Sequence, residues 1–514
     1  MNLAELALRP GRDPARANRS AFLTAQGPVS NAEFQRRVFA LVKDLSQAGA
    51  RPGDKILLRM TNSAEFAAAF LAVAWIGAIP VLQNSQFGRS ELDHIVALCQ
   101  PTIFLFSAQS VDDPATSGLS PHAPRLVVTS TDLRATSGGT GEDRTAPSAP
   151  FAAPPDAPAF IVFTSGTTGK PKGVVHAHRW LDALGDSNRA RVPPQPDDVV
   201  LATGEWSFIS ALGHNVLFPL RNGVAGAIME DRASPQRILQ TIERNRVTLL
   251  HSVATLYRRI LGSARIEDRY DLRSLRGANS TGEPLEDSMR AEWERRIGCP
   301  IWEHYGISEA QMVIGDGPGI PKRQGSVGRT WGARAAVLDG ELKELPPNSI
   351  GTLAFASDYP GFFLGYLGDE ERTRATLRDS WFLTSDLARI DADGYVFIMG
   401  RADDCFKSKG VLIAPREVEE AILGLGAFEE ACVFPLPDDV IGSRIAAAVV
   451  PRGNAIGDPI DAASVARALA GRVAPFKLPH LIRVLDELPK NANGKTQRSE
   501  VARLVLKQMA EKSG

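Results

Sequence analysis

Two hydrophobic periods alternate along the first 110 residues. Apolar residues recur at helical spacing over 31–48 and 91–98, whereas short apolar runs occupy 55–59 and 102–106. Alternation of helix-period and strand-period segments is typical of βαβ units built around a parallel sheet. The pattern therefore predicts an α/β fold for this part of the chain.

The most apolar stretch, 66–82, is the one segment that suggests a membrane span. Gly77 and Pro80 interrupt it, and a span needs about 20 apolar residues. A buried helix over 63–75 followed by a strand over 79–82 accounts for the composition better. We therefore expect no integral membrane segment.

The pattern changes twice further along the chain. Residues 107–158 are rich in Pro, Ala, Ser, Gly and Thr and predict an irregular connection with one strand near 126–129. Helix and strand periods then alternate again, with a helix expected to begin at Val175. From about residue 326 short strands with Gly, Pro and Asp turns predict a small, distorted β subdomain.

Beyond Arg401 a compact unit of about 110 residues follows, a usual size for a separate domain. The expected architecture is α/β: a large N-terminal domain of βαβ subdomains over 1–401, and a smaller α+β C-terminal domain over 402–514.

Composition narrows the functional classes. The 514 residues carry a formal net charge of −1, which gives no reason to expect nucleic acid as a partner. Four cysteines lie far apart without a C-x-x-C pair, so neither a disulfide framework nor a zinc site is predicted. The first residues lack a basic segment followed by an apolar one, so no secretion signal is visible. We expect a cytoplasmic protein.

A loop rich in Ser, Thr and Gly follows the apolar run 160–163. Small hydroxyls, flexible glycines and lysines suit a backbone cradle for phosphate. The P-loop spacing is not met, because only two residues separate Gly166 from Gly169. A solvated surface loop is the plain alternative. The residues concerned are Thr164, Ser165, Gly166, Thr167, Thr168, Gly169 and Lys172.

Segment 204–220 combines aromatic residues, small residues and His214 at the start of a predicted apolar helix. The residues alone leave two interpretations open. One is core packing with a satisfied histidine; the other is a binding pocket wall with His214 facing a substrate anion. His176 and His178, by contrast, do not share a helix face, so a metal site there is rejected in favour of polar contacts at the helix start.

Polar clusters follow successive predicted strands, where open α/β sheets bind ligands. Together with the loop at 164–173 these motifs, in this order, resemble the adenylate-forming superfamily: acyl- and aryl-CoA ligases, firefly luciferase and the adenylation domains of peptide synthetases. The motifs are Gly282-Glu-Pro284, Tyr305-Gly-Ile-Ser-Glu309, Trp381-Phe-Leu-Thr-Ser-Asp386, Gly400-Arg-Ala-Asp-Asp404, Lys407-Ser-Lys-Gly410, Pro415-Arg-Glu417-Val-Glu and Asn493-Gly-Lys495.

The resemblance implies a reaction in two halves. A carboxylic acid attacks the α-phosphate of ATP to give an acyl-adenylate and pyrophosphate, and a thiol then displaces AMP. By resemblance the loop from Thr164 to Lys172 holds the β- and γ-phosphates, Glu309 helps to bind Mg²⁺, and Asp386 accepts the ribose hydroxyls. The remaining nucleotide contacts are Gly282, Glu283, Pro284, Glu303, Tyr305, Gly306, Ser308 and Arg401, with Tyr305 stacked on the adenine.

Further roles follow from the resemblance. Lys495 and His214 are the catalytic candidates, with Lys495 bridging the attacking carboxylate and the α-phosphate. The C-terminal domain is expected to be mobile, rotating about the hinge position Asp403, so that Lys409 and Gly410 approach the CoA channel. The resemblance also favours the pocket interpretation of 204–220, with His214 near the substrate carboxylate. Trp206, Phe208 and Ser210 are the other acyl-pocket candidates.

Two positions depart from the usual motifs. Ser385 stands where a glycine is common, which is tolerable unless its φ is positive. Leu412 lies where many relatives have a polar or basic residue, so the resemblance implies one auxiliary phosphate contact fewer. Neither removes the main set of site residues.

The leading hypothesis is an ATP-dependent acid–CoA ligase with CoA as co-substrate, acting on an aromatic or a short- or medium-chain aliphatic acid. A free-standing enzyme that loads the phosphopantetheine of a carrier protein is one alternative. A non-catalytic nucleotide or acyl-adenylate sensor is another, of a different class. The pattern identifies neither the acid nor the oligomeric state.

Overall fold

The structure is a computed structural model, which describes residues 1–108, 110, 125–128, 133–137, 149–165, 170–230, 233–263, 265–409, 411–438, 442–452, 462–490 and 496–511. In the described part, two large sheets and a smaller one lie before residue 402, and two small sheets follow it. Hydrophobic clusters divide in the same way, since two of them draw only on residues from Phe406 onward. The domain limits 1–401 and 402–514 stay a prediction.

The first large sheet is parallel through its centre and supplies most of the candidate site. Its parallel strands pair from Ser20–Thr24 across to Ile301–Ile307. In spatial order the described strands are Arg329–Thr330, Gln311–Gly315, Ile301–Ile307, Gly277–Thr281, Leu249–Ser252, Val199–Ala202, Ala225–Ala227, Ser20–Thr24 and Gly27–Ser30.

The second large sheet is parallel in its middle and ends in antiparallel strands. In spatial order its described strands are Gly365–Tyr366, Pro171–Ala177, Pro158–Ser165, Ile79–Leu82, Lys55–Arg59, Ile103–Phe106, Arg125–Val128 and Leu133–Ser137.

The third sheet is the small β subdomain, and it is antiparallel. Its strands are Ala335–Leu338, Gly351–Ala356, Leu377–Arg378, Trp381–Ile390 and Val396–Arg401. The strands beyond residue 402 are Phe406–Ser408 with Val411–Ile413, and Phe428–Asp438 with Gly442–Pro451 and Leu481–Val484.

Helices cover the sheets. The described α-helices are Leu3–Leu8, Asn31–Gln47, Ala64–Ile76, Arg89–Cys99, Trp180–Arg191, Ile209–Leu212, Phe218–Asn222, Pro235–Asn245, Ala254–Gly262, Asp287–Ile297, Glu370–Thr376, Pro415–Leu423, Ala462–Ala468 and Arg498–Glu511. Short 3₁₀ turns occupy Arg9–Arg12, Pro14–Arg16, Ile266–Arg269, Ala402–Asp404 and Pro475–Lys477.

The apolar stretch is a buried helix, as predicted, and not a span. Ser63 caps helix Ala64–Ile76 by accepting the Phe66 N–H, and Gly77 ends it at φ +86°, a conformation that favours glycine. Every residue of that helix except Glu65 is buried. No helix in the described ranges is long and apolar enough to cross a membrane.

Two predicted elements were wrong. His176 belongs to strand Pro171–Ala177 and not to a helix, because the chain pairs back antiparallel onto Pro158–Ser165. Segment 204–220 is not a regular α-helix either, since a π-helical turn, Gly213–Leu217, separates two short helices. The Phe218 N–H bonds Gly213 O, five residues back and one further than in an α-helix, and Pro219 has no N–H to continue the α-helical ladder.

Candidate active site

The hairpin of strands Pro158–Ser165 and Pro171–Ala177 places Thr164 opposite Lys172. The Thr164 Oγ1 atom is buried and has no hydrogen-bond partner, an arrangement that fits a ligand oxygen. Gly166, Thr167, Thr168 and Gly169 lie outside the described residues, as does the side chain of Ser165. The hairpin therefore holds a hydroxyl and an ammonium group at the end from which the loop departs.

Lys172 meets an acidic residue from a distant part of the chain. Its Nζ lies 3.1 Å from Glu309 Oε1 and 3.3 Å from the Tyr366 hydroxyl. That hydroxyl donates to the same Glu309 oxygen over 2.5 Å. Burial, followed by the Glu309 charge, raises the pKa of Tyr366 well above its usual value, so Tyr366 is a neutral donor. These three side chains form a compact charged cluster, which we call the Lys172 cluster.

A second polar pair lies on the same edge of the structure. The Tyr305 hydroxyl donates a 2.6 Å hydrogen bond to Asp386 Oδ2. Burial and the Asp386 charge raise the pKa of Tyr305 well above 10. Arg401 lies directly across from Asp386 in the antiparallel pair of strands Trp381–Ile390 and Val396–Arg401. The structure thus brings together three residues that the sequence assigns to the nucleoside.

Strand Ile301–Ile307 demands glycine at position 306, where it pairs with strand Gln311–Gly315. A Cβ added to Gly306 would lie 2.3 Å from the Gln311 carbonyl oxygen, closer than a real contact allows. Ser308 contributes its carbonyl oxygen, which lies 2.9 Å from His176 Nε2. The tight turn fixes the direction in which Glu309 leaves the backbone.

The residues expected to line the adenine have structural partners as well. Gly282 takes φ +85°, in the left-handed region, just before Glu283 and Pro284. The Glu283 carboxylate accepts from the Thr255 N–H at 2.9 Å, at the start of helix Ala254–Gly262, where a negative charge is stabilising. Because this contact occupies the Glu283 carboxylate, the assignment of residues 282–284 to the nucleotide stays a prediction.

Glu303 is buried among arginines. It accepts from the Leu285 N–H at 3.2 Å and lies 3.7 Å from Arg290 and 3.6 Å from Arg416. Burial raises the pKa of Glu303 to about 8, although both arginines act in the opposite direction. Because Arg416 belongs to helix Pro415–Leu423, the pair joins the two predicted domains.

His214 lies in the π-helical turn, a feature frequent at functional sites. Its Nδ1 contacts Ser210 O at 2.8 Å and Gln311 Nε2 at 3.4 Å, and its Nε2 is buried without a partner. Burial lowers the pKa of His214 to about 3, so the ring is neutral at pH 7. Asn215 ties the turn to the sheet through Ala202 N–H and Ala227 O.

The other acyl-pocket candidates divide between core and half-buried positions. Trp206 is 1 % exposed and packs against Phe22 and Phe66, with ring centroids 6.1 Å and 5.6 Å away. Phe208, just before helix Ile209–Leu212, and Ser210, within it, are half-buried. The assignment of these three residues to a substrate pocket stays a prediction.

Residues beyond 401 that the sequence assigns to catalysis are described only in part. Asp403 lies in the exposed turn Ala402–Asp404, and Lys409 is exposed at φ +51°. Gly410, Lys495 and the side chain of Leu412 lie outside the described residues. Ser385 is not one of the described residues with positive φ, so serine fits the backbone there.

Tyr366 is the site residue that sequence reasoning missed. It falls in the Tyr366-Leu-Gly-Asp segment, and nothing in the local sequence indicates that Tyr366 contacts Lys172. Within the described ranges no group of three or more His, Cys, Asp or Glu side chains could hold a metal ion.

A family model described as "AMP-binding enzyme" matches residues 12–367, and its companion for the C-terminal domain matches residues 417–495. The chain belongs to the AMP-binding enzyme family. The resemblance to the adenylate-forming superfamily and the α/β architecture predicted from the sequence are thereby confirmed.

Relatives in this AMP-binding family extend over nearly the full chain. A 3-hydroxybenzoate–CoA ligase of Aromatoleum sp. (strain CIB) is 27 % identical, covering 98 % of this chain and 97 % of its own. A feruloyl-CoA synthase of Amycolatopsis sp. is 30 % identical, covering 92 % and 94 %. Among solved structures, the anthranilate CoA ligase AuaEII in complex with anthranoyl-AMP superposes with a TM-score of 0.88 at 25 % identity, covering 99 % and 98 %.

Proposed function

We propose that this protein is an AMP-forming acid–CoA ligase that activates an aromatic carboxylic acid as its acyl-adenylate. The observation that carries the proposal is the Lys172 cluster beside the unpartnered Thr164 hydroxyl. The names of the 3-hydroxybenzoate and feruloyl relatives support the aromatic class.

The first half of the reaction brings two anions together. Positive charge and hydrogen-bond donors must therefore neutralise the triphosphate before a carboxylate can approach the α-phosphorus. Thr164 and Lys172 are suited to the β- and γ-phosphates, and Glu309 and Tyr366 hold the ammonium group in place. Tyr305, Asp386 and Arg401 are suited to the nucleoside.

The donor set around Glu309 fits Mg²⁺. Magnesium is usually held by one or two carboxylates together with substrate phosphates, and both described contacts of Glu309 are to Oε1, which leaves Oε2 for an ion. When bound there, Mg²⁺ would neutralise phosphate charge. Tyr366 and Lys172 would then fix the carboxylate in position.

We assign the attack step to Lys495, which would bridge the attacking carboxylate and the α-phosphate. Removing one such electrostatic group costs about 10²–10³ in rate. Rotation about Asp403 would then withdraw Lys495 and bring Lys409 and Gly410 toward the anhydride. The CoA sulfur attacks the acyl carbon, and AMP leaves with the electron pair of the broken C–O bond.

A pyrophosphate-exchange screen over benzoate, hydroxybenzoates, cinnamates and C2–C8 aliphatic acids tests the first half. We expect exchange with aromatic acids, and a roughly 10²–10³-fold loss in Lys495→Ala. Lys43→Ala, which changes an exposed lysine of helix Asn31–Gln47, is the matched control and should exchange normally. Nucleotide binding without exchange by any acid would instead favour a sensor.

The thiol acceptor needs a separate assay. Acyl-CoA and AMP should form in equal amounts when CoA is added to an acid that supports exchange. Exchange without thioester would point to the carrier-protein alternative.

A further inference from the structure

A layer of buried polar side chains lies behind His214, on one face of the first large sheet. His251 lies opposite Asn279 in adjacent parallel strands, and His304 is opposite Thr281. Residues two apart on a strand share a face, so His251, Asn279 and His304 all face the π-helical turn. The His214 and His251 rings lie 4.0 Å apart between centroids.

Many polar atoms in this layer have no hydrogen-bond partner. Buried polar groups are rarely left unpaired, and a concentration of them in one place is typical of a site that a ligand completes. The unpartnered atoms are His214 Nε2, His251 Nδ1, Asn279 Oδ1, His304 Nδ1, and Nε and Nη1 of Arg191.

Arg191 is the decisive member. It ends helix Trp180–Arg191 and is 1 % exposed. Its Nη2 donates to Asn188 Oδ1 at 2.8 Å, and no carboxylate in the described part of the chain forms an ion pair with it. A buried charge without a counter-charge costs several kcal/mol, so the position calls for an anion.

The neighbouring imidazoles do not neutralise the charge of Arg191. Burial, with a smaller contribution from the Arg191 charge, lowers the pKa values of His214, His251 and His304, so that these rings are neutral at pH 7. Burial lowers the pKa of Arg191 only to about 10, so the guanidinium stays charged. The layer thus carries one positive charge and several neutral donors and acceptors.

The layer is close to the predicted reaction centre. Gln311, which contacts His214, follows Glu309 by two residues and takes φ +57°, an unfavourable conformation for a non-glycine residue. Two glycines pack closely against the layer from the other side, since a Cβ on Gly315 would lie 2.4 Å from His304 Cδ2 and one on Gly317 would lie 2.8 Å from Arg191 O.

We infer that the acid carries, besides the carboxylate that is activated, a second carboxylate that binds Arg191. The inference rests on the proposed ligase function, and it narrows the substrate to dicarboxylic acids. Hydrogen bonds between a guanidinium and a carboxylate are charge-assisted and strong, and Arg191 keeps Nε and Nη1 as unpartnered donors for one. The histidines and Asn279 complete the hydrogen bonding of the distal group.

Exchange assays with wild-type enzyme test this without any substitution. We compare benzoate with phthalate, isophthalate and terephthalate, and butanoate, pentanoate and hexanoate with succinate, glutarate and adipate. At least one dicarboxylate should exceed its monocarboxylate about 10²-fold in kcat/KM, because a site that hydrogen-bonds a substrate group discriminates strongly against analogues lacking it. Its monomethyl ester, which keeps the shape and removes the charge, should fall to the monocarboxylate level.

This inference is overturned if kcat/KM for the monocarboxylates or monoesters equals or exceeds kcat/KM for every dicarboxylate. That result leaves the ligase proposal intact. Exchange with no acid at all overturns both.

Variants at Arg191 separate recognition from structure. Arg191→Met should lower kcat/KM at least 50-fold more for the preferred dicarboxylate than for the matching monocarboxylate, whereas Arg191→Lys should keep the order of preference. Arg189→Met, an exposed position on the same helix, should change neither. An equal loss for both acids in Arg191→Lys would assign Arg191 a structural role and overturn the inference.

Discussion

Tyr366 and Glu309, 57 residues apart in the chain, are joined by a 2.5 Å hydrogen bond from the phenol to Oε1 of the carboxylate. The same oxygen is bound to Lys172. One carboxylate oxygen of Glu309 therefore accepts from both the Lys172 ammonium group and the neutral Tyr366 hydroxyl. The position of Lys172 thus depends on Tyr366, a residue that touches no predicted ligand.

Tyr366→Phe removes that hydroxyl and should lower kcat/KM for ATP roughly tenfold, because a hydrogen bond to a charged group contributes about 1.5–3 kcal/mol. Pyrophosphate exchange at varied ATP measures the effect. Tyr395→Phe, which removes a hydroxyl bonded to the Pro321 carbonyl in the β subdomain, is the control. An equal loss in both variants would mean that Tyr366 acts only through stability.

Asp386→Asn keeps the size of the side chain and removes the acceptor charge. We expect kcat/KM for ATP to fall about 10²-fold, since a bidentate acceptor for the ribose becomes a mixed donor and acceptor. Tyr305→Phe should cost less, because only the hydroxyl on Asp386 Oδ2 is lost. Titration calorimetry with the nucleotide compares the loss of affinity in the two variants. A larger loss in Tyr305→Phe than in Asp386→Asn would contradict this prediction.

Glu303→Gln tests the buried carboxyl at the domain contact. The folded-state pKa of Glu303, about 8, lies above the ordinary value of 4.5 for a glutamate, so the folded protein binds more protons than the unfolded chain between these limits. Stability contributed by protonated Glu303 is complete below about pH 4.5 and is lost as the pH rises through 8. The variant should therefore show a flatter profile of Tm against pH from 5 to 8.5 than wild type.

The control for that profile is Glu341→Gln, an exposed position, which should follow wild type. Identical slopes for wild type and Glu303→Gln would place the pKa of Glu303 in its ordinary range.

Gly306→Ala inserts a methyl group 2.3 Å from the Gln311 carbonyl oxygen. Overpacking of this kind costs about 1–3 kcal/mol, and the turn that carries Glu309 must shift. We expect a lower Tm and a larger loss of exchange activity than the stability change alone would give. Gly340→Ala, where a Cβ meets no atom within 4 Å, should leave both quantities unchanged. Normal exchange in Gly306→Ala would show that the turn tolerates displacement.

Periodicity predicted most of the fold because its signals are local. Helix Asn31–Gln47 and strand Ile79–Leu82 follow directly from apolar spacing and caps. The last three residues of strand Pro171–Ala177 were wrongly predicted to begin a helix, because their local pattern does not show that the chain turns back to pair with the preceding strand, Pro158–Ser165. Strand Leu133–Ser137 was missed in a segment whose composition favours irregular structure.

For the candidate site, motifs predicted residues that share a sequence signature, such as Lys172, Glu309 and Asp386. They could not reveal Tyr366 or Arg191, since burial and the absence of a partner carboxylate arise only when helices and strands from separate parts of the chain pack together. Neither residue carries a local pattern that would distinguish it from an ordinary core tyrosine or a helix-terminal arginine.

The π-helical turn Gly213–Leu217 makes this region sensitive to chain length. A π turn holds one residue more than the α-helical turn that it replaces. Deleting a single residue there would restore an α-helical register and rotate the preceding side chains by about 100° relative to those after Pro219. His214 would then turn away from His251, so natural or engineered single-residue deletions in this short span offer a direct route to a different acid specificity without a change in the surrounding sheet.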